Sequence, residues 1–243
     1  MPTQLLLTRF LNDLFAAPVD ALLRVFHIQP AYPSTPINDT FSMELLVVAI
    51  LLIFFIAVRL TLDVEKPNPL QHLAEGIHEF VADQGESIIG HDFERFLGFI
   101  TVLGLFILLC NLLGLVPGLK SPTADVVVPL GCAILTFAYY HYQGIRKNGW
   151  RYIKQFFGPV WWLSWLMLPI EIFSHLARLL SLTVRLYANM FAGDMVTLAF
   201  FSLIPVFVPL IFLGLHVFVS VLQAFLFMAL AMSYLSLAVA EEH

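Results

Sequence analysis

The chain has 243 residues, 60% of them hydrophobic and only 12% charged, with a formal net charge of -5 and a mean hydropathy of +0.87. A soluble domain carries about 25% charged residues. This much apolar surface exceeds what one compact core can hide, so the fold class is an all-α polytopic membrane protein in contact with the lipid bilayer. Long unbroken apolar runs exclude a β-barrel, whose strands alternate over roughly 10 residues, and no basic run or motif supports nucleic-acid binding.

The sequence reads as one integral membrane domain over 1–243. Residues 1–40 are an N-terminal segment: 5–26 have helical periodicity but too many interruptions to span, and 29–40 form an extended Pro-rich loop. There is no basic region ahead of an apolar stretch, so no cleaved signal peptide is expected. The first span lies within 41–63, its apolar run being 42–58. In 67–90, Leu70, Leu73, Ile77, Phe80 and Val81 recur at helical spacing, with histidines and acids on the other face. That pattern predicts an amphipathic helix on the membrane surface, a soluble linker helix being the alternative.

Residues 94–145 read as a helical hairpin, with spans at 96–116 and 126–142 separated by the Gly/Pro stop "NLLGLVPG". The segment after it carries Arg146, Lys147, Arg151 and Lys154. Residues 156–240 then form two long apolar segments, making about five spans in all. On that count seven basic residues (Arg59, Lys66, Arg95 and the four of the loop) lie on one side. Three (Arg9, Arg24 and Lys120) lie on the other. The N-terminus is therefore expected outside and the C-terminus in the cytoplasm. Residues 209–240 number 32, a helix of about 48 Å at 1.5 Å per residue. The hydrocarbon core is only about 30 Å thick, so the last two helices are expected to tilt strongly or bend.

Their polar residues are patterned. Glu171, Ser174, Arg178, Ser181, Arg185 and Asn189 step by 3, 4, 3, 4 and 4, one stripe of a helix, which Ala192 and Gly193 continue with small side chains. Asp194 lies nine residues past Arg185, on the opposite face. The stripe is therefore expected to meet one neighbour and Asp194 another. On the last helix His216, Ser220 and Gln223 form a second stripe. With a turn near Pro205, Asp194 and His216 lie 11 residues either side of it and share a depth. Arg185 and Gln223 nearly share another.

A charge inside the bilayer costs from about 3 to above 10 kcal/mol, so Arg185 needs a partner. Glu171 is about 21 Å away along the helix, which leaves a carboxylate on another subunit, or backbone carbonyls, Asn189 and Gln223, to satisfy it. Asp194 and His216 can relay protons or form a purely structural pair. A haem would need paired axial histidines at one depth; His175 and His216 lie 30 and 11 residues from the turn, which argues against it. His72, His78 and His141 read as interfacial or solvated. Cys110 and Cys132 have no metal or redox spacing and read as small core residues. No cofactor or metal is expected.

The pieces "NLLGLVPG", "SPTADV", "SLTVRLYANMFAGDMV", "LQAFLFMALAMSYLSLA" and the closing "EEH" resemble subunit a of the F-type ATP synthase, in that family's order, from about residue 90 onward. The resemblance implies a membrane stator beside a rotating ring of c subunits, each bearing a membrane-embedded carboxylate. Protons enter and leave the ring through two aqueous half-channels. It also implies b-type peripheral stalk subunits and, indirectly, an F1 head as partners, no nucleotide site in this chain, and a bacterial inner membrane. The family's essential arginine falls on Arg185. Asp194, His216, Gln223 and Asn189 fall on the outer half-channel, and Glu171, Ser174 and Tyr234 on the cytoplasmic one. Gly114 stands where some relatives carry an acid, so no proton role is carried over there. The rival readings are a self-contained transporter, in which Arg185 pairs with an internal acid, and a structural membrane anchor.

Overall fold

The computed structural model describes residues 5–25, 36–63, 65–90, 92–116, 118–149, 152, 164–203 and 207–239. Among them are α-helices and one short 3-10 turn, Pro122–Ala124, and no strand. The protein is an all-α polytopic membrane protein. The helices are α1 (Leu6–Val25), α2 (Asp39–Leu60), α3 (Pro69–Ile89), α4 (Glu94–Leu113), α5 (Val127–Asn148), α6 (Ser164–Leu203) and α7 (Phe207–Val239). By length and composition, α2, α4, α6 and α7 can each cross a membrane.

The sequence reading counted a span at 126–142 as well. Its helix, α5, has 22 residues, about 33 Å, which is long enough. Tyr139, Tyr140, His141, Gln143, Arg146 and Lys147 fill its second half, however, so composition alone does not mark it as a span. It also runs beyond 142. Arg146 and Lys147 sit in its last turn, where a cation is favoured by the negative end of the helix dipole. Gly149, at φ +54°, turns the chain off the helix. Lys147 Nζ then reaches Asp92 at 2.9 Å, tying this end to the turn between α3 and α4.

The core is the interlock of α4, α5, α6 and α7. Leu103, Ile107, Leu186, Met190, Phe227 and Ala231 form one buried cluster. Phe96, Ile100, Tyr140, Met232 and Leu235 form a second toward the end where α5 and α7 finish. Close approach of α4 and α7 depends on Gly104, where a Cβ would lie 3.3 Å from Met228 Sδ. A buried polar joint fastens the same pair. Asn111 Nδ2 donates to the Ser220 carbonyl at 3.2 Å, and its Oδ1 accepts from Thr123 Oγ1 at 2.6 Å. Ser121 Oγ lies 2.8 Å from Thr123 Oγ1 and donates to the Cys110 carbonyl. Polar groups this deep remain favourable only when paired. Cys110 and Cys132 are buried and free, as core residues.

The outer helices attach to this core. Helix α3 starts at Pro69 after Asn68, Pro being well suited to a first helical turn. Its Val81 and Ile77 pack into the second cluster, while Leu70, Leu73 and Phe80 stay exposed. The apolar arc is thus shared between the protein and its surroundings rather than given wholly to a membrane surface. Helix α2 begins with Asn38 Oδ1 accepting from Phe41 N, an N-cap, and packs Val47 and Leu51 near Cys110. Helix α1 is held by Asn12, whose side chain bonds the backbone N and O of Ile37 at 3.0 Å each. Asp39 accepts from Thr8 and pairs with Lys120 at 2.8 Å.

Candidate functional site

Helix α6, 40 residues long, carries the polar stripe into the packed bundle. Leu182, Leu186 and Met190 are its buried seam against α4 and α7. Arg185 projects beside this seam and stays part-exposed. Its guanidinium bonds Ser181 Oγ at 3.2 Å, one turn back on the same helix, and makes no ion pair among the described residues. Asn189 and Gln223, one of the two ways considered of satisfying Arg185, bond one another instead: Asn189 Nδ2 donates to Gln223 Oε1 at 2.8 Å. Ser181, Ala188 and Ala192 are exposed alongside the arginine. The result is a shallow, small-residue track with one cation in it.

Asp194 and His216 do come to one depth. Asp194 Oδ1 and His216 Nδ1 are 3.9 Å apart, within ion-pair range but beyond a direct hydrogen bond. The turn that was placed near Pro205 lies outside the described residues. His216 is 5% exposed, and its ring lies against Gly193, where a Cβ would come 2.9 Å from Nε2. Any larger residue at 193 would displace the imidazole. Ser220, one turn on from His216, is fully buried, and its hydroxyl points to Met190 Sδ at 3.9 Å.

These contacts correct one expectation. The sequence reading gave the stripe and Asp194 to different neighbours, yet Asn189 and Asp194 both reach α7. They are five residues apart, about 140° round the helix, and flank the Leu186–Met190–Gly193 seam on its two edges. A helix packed on that seam is met from both sides. Arg185 still lies opposite Asp194, farther out on the Asn189 edge.

A second cluster forms where α5 ends, α6 begins and α7 ends. Glu171, His175 and Arg178 of α6, Tyr140 of α5, Tyr234 of α7 and Tyr152 line a cavity of about 130 Å³. His175 is 8% exposed. Its Nε2 is 3.2 Å from Glu171 Oε1, and its Nδ1 is 2.9 Å from the Tyr140 hydroxyl. Arg178 stands 5.4 Å over the Tyr234 ring, a cation–π contact. Ser174 is half-buried nearby on α6 and makes no side-chain hydrogen bond among the described residues. His141 was read as interfacial; it is instead part of this cluster, its Nδ1 2.7 Å from the Tyr152 hydroxyl and its ring 4.8 Å from that of His175. The Tyr152 ring folds back onto α5 at Gly144, filling the place a Cβ would take, at 2.5 Å.

The roles of Tyr140, His141 and His175 escaped the sequence reading. For His175 a signal existed: Glu171 and His175 are spaced i, i+4, which sets them side by side on a helix. For the α5 residues none did, because nothing local says which helix α5 packs against. Among the described residues no cluster of His, Cys, Asp and Glu has the makings of a metal site.

Comparison with known proteins adds to this geometry. The sequence model of the family described as ATP synthase A chain matches residues 40–236. The likeness thus begins well ahead of the motifs found from residue 90 onward. The chain is 53% identical to "ATP synthase subunit a" of Koribacter versatilis over 244 aligned positions, covering all of both chains. It is 46% identical to the protein of the same name from Solibacter usitatus, covering 96% of this chain and 99% of that one. With that of Geotalea uraniireducens it shares 38% identity over 89% and 94% of the two chains.

Proposed function

The chain belongs to the ATP synthase A chain family, and from that membership we propose that it is the proton-translocating stator subunit of a rotary F-type ATP synthase. As a member it is a multi-pass component of the F0 sector in a bacterial membrane. The observation that carries the finer reading is the separation of its intramembrane polar groups into two clusters with Arg185 between them. Glu171 lies 14 residues before Arg185 and Asp194 nine after it, about 21 Å and 14 Å along the helix. No hydrogen bond or ion pair joins the clusters along α6 among the described residues.

In this reading Asn189, Asp194, His216 and Gln223 line the outer half-channel, and Glu171, Ser174 and Tyr234 line the cytoplasmic one. Protons load a ring carboxylate from one cluster and leave it through the other. Arg185 faces the ring. When a carboxylate arrives ionised, the guanidinium stabilises it in a medium where the charge would otherwise be very costly. Its own positive charge repels a proton crossing directly from one cluster to the other. The exposed small residues beside it let a ring helix approach closely. A self-contained transporter would need an acid for Arg185 within the chain, and the described residues supply none. The c-ring and b-type stalk subunits are partners on this reading, with the N-terminus outside and the C-terminus in the cytoplasm.

The test is Arg185→Ala in membrane vesicles. Proton-driven ATP synthesis is expected to vanish while the assembled complex can still be isolated. Coupled synthesis at the wild-type rate would overturn the mechanism.

A further inference from the structure

The cluster at the start of α6 holds more than the cytoplasmic half-channel needs as described so far. His175 is bonded at both ring nitrogens, to Glu171 on one side and to Tyr140 on the other, and it borders a cavity. Resting on the half-channel reading above, we propose that His175 is a proton-carrying residue of the cytoplasmic half-channel, passing protons between Glu171 and the Tyr140 hydroxyl.

The chemistry balances with water in the cavity as acceptor. With Glu171 protonated, its O–H donates to Nε2 of a neutral imidazole whose Nδ1–H donates to the Tyr140 oxygen. The Glu171 O–H bond breaks and Nε2–H forms, leaving a carboxylate beside an imidazolium. Nδ1–H then passes to the Tyr140 oxygen as the phenol gives its own proton to water. Tyr140 ends by donating back to Nδ1, and Nε2–H donates to the carboxylate. One proton has moved from Glu171 to water. Every stage keeps both hydrogen bonds, because the hydroxyl serves equally as donor and acceptor. A histidine caught between two one-way partners would lose a bond on changing charge; this one does not.

The surrounding charges oppose one another. Glu171 and Arg178, of opposite charge, both face the cavity from the helix that carries His175. From α5 come Tyr140 and His141, whose ring is 4.8 Å away; from α7 comes Tyr234; Tyr152 closes the remaining side. Only His175 joins the carboxylate to the phenol directly.

The test uses inside-out membrane vesicles holding the whole synthase, with proton pumping and ATP synthesis measured while pH on the cytoplasmic side is varied. Wild type is expected to show a dependence on cytoplasmic pH, because the relay passes through a side chain that changes charge. His175→Gln keeps a hydrogen-bonding side chain but cannot carry the charge; it is expected to flatten that dependence and lower the rate several-fold. Tyr140→Phe keeps the ring and removes the hydroxyl, so it is expected to shift the profile even if His175→Gln proves hard to assemble. A wild-type profile in either assembled variant overturns the proposal. Arg185→Ala run alongside separates the two readings. Its loss of synthesis with a wild-type His175→Gln profile sinks the relay alone, whereas its retention of synthesis sinks the half-channel reading itself.

Discussion

The smallest scale shows how little material sets the Asp194–His216 cluster. Gly193 matters for what it lacks. The imidazole of His216 occupies the volume a side chain would need, with Nε2 2.9 Å from the missing Cβ. Gly193→Ala is therefore expected to move His216 and slow proton-driven synthesis several-fold without dissociating the complex, measured as synthesis rate against the amount of assembled enzyme. An unchanged rate would mean the ring has somewhere else to go. Asp194 presents the converse case. Its carboxylate stops 3.9 Å from His216, and one more methylene covers about 1.5 Å. Asp194→Glu should retain coupled synthesis by closing that distance, while Asp194→Leu, which removes the carboxylate, should lose most of it. Loss in the glutamate variant equal to that in the leucine variant would show that the spacing, rather than the acid, is what function needs.

At the scale of the helix, α6 is the least enclosed of the long apolar helices, with only 11% of its most apolar window buried. Phe173, Leu180 and Val184 are more than half exposed. Phe191 and Ala192 are both exposed, at nearly one depth, yet about 100° apart round the helix. Ala192 is on the Arg185 side and Phe191 toward the Asp194 side. Cysteine at 192 should form a disulfide with cysteines placed on the outer helix of the ring subunit, and cysteine at 191 should not. Equal cross-linking at both would mean that α6 does not present one face to the ring. This phase was legible in the sequence: counting by 100° put Arg185 and Asp194 opposite one another, and counting from Pro205 put Asp194 beside His216. Counting did not reveal which helices meet. Asn189 and Asp194 share α7 because a packed helix is touched along both edges of its seam. Tyr140 and His141 enter the cluster at Glu171 only because α5 lies against the first turns of α6. Periodicity gives the direction of a side chain from its own axis; it carries nothing about the neighbour's identity. The length of α5 was misjudged for a related reason, since charge ended the span in the sequence but suited the end of the helix.

For the molecule as a whole, sidedness is read by a labelling experiment. On the proposed reading, which follows the count of seven basic residues against three, the turn carrying Lys120 is outside and the end of α5 in the cytoplasm. The native thiols are both buried, so an introduced cysteine reports alone. Lys120→Cys should react with a membrane-impermeant maleimide on intact cells, Lys120 being 64% exposed at its side chain. Arg146→Cys, at an exposed position, should react only once the membrane is opened. The reverse pattern would invert the chain and exchange the two half-channels. With α4 to α7 interlocked and α1 to α3 laid around them, the two clusters occupy opposite ends of the α6–α7 pair. On the proposed reading, a proton passes from one to the other by way of a ring carboxylate standing at Arg185.

On the proposed reading, the fold-back of Tyr152 onto Gly144 shapes the mouth of that route. The cavity at Glu171 is small, about 130 Å³, and one of its walls is an aromatic plate seated in the notch of a single glycine. Neither side chain carries a charge at neutral pH. On that reading the seat of Tyr152 sets how much room water has beside Glu171 and His175. A side chain larger than hydrogen at position 144 would push the Tyr152 ring out of its place and open that wall.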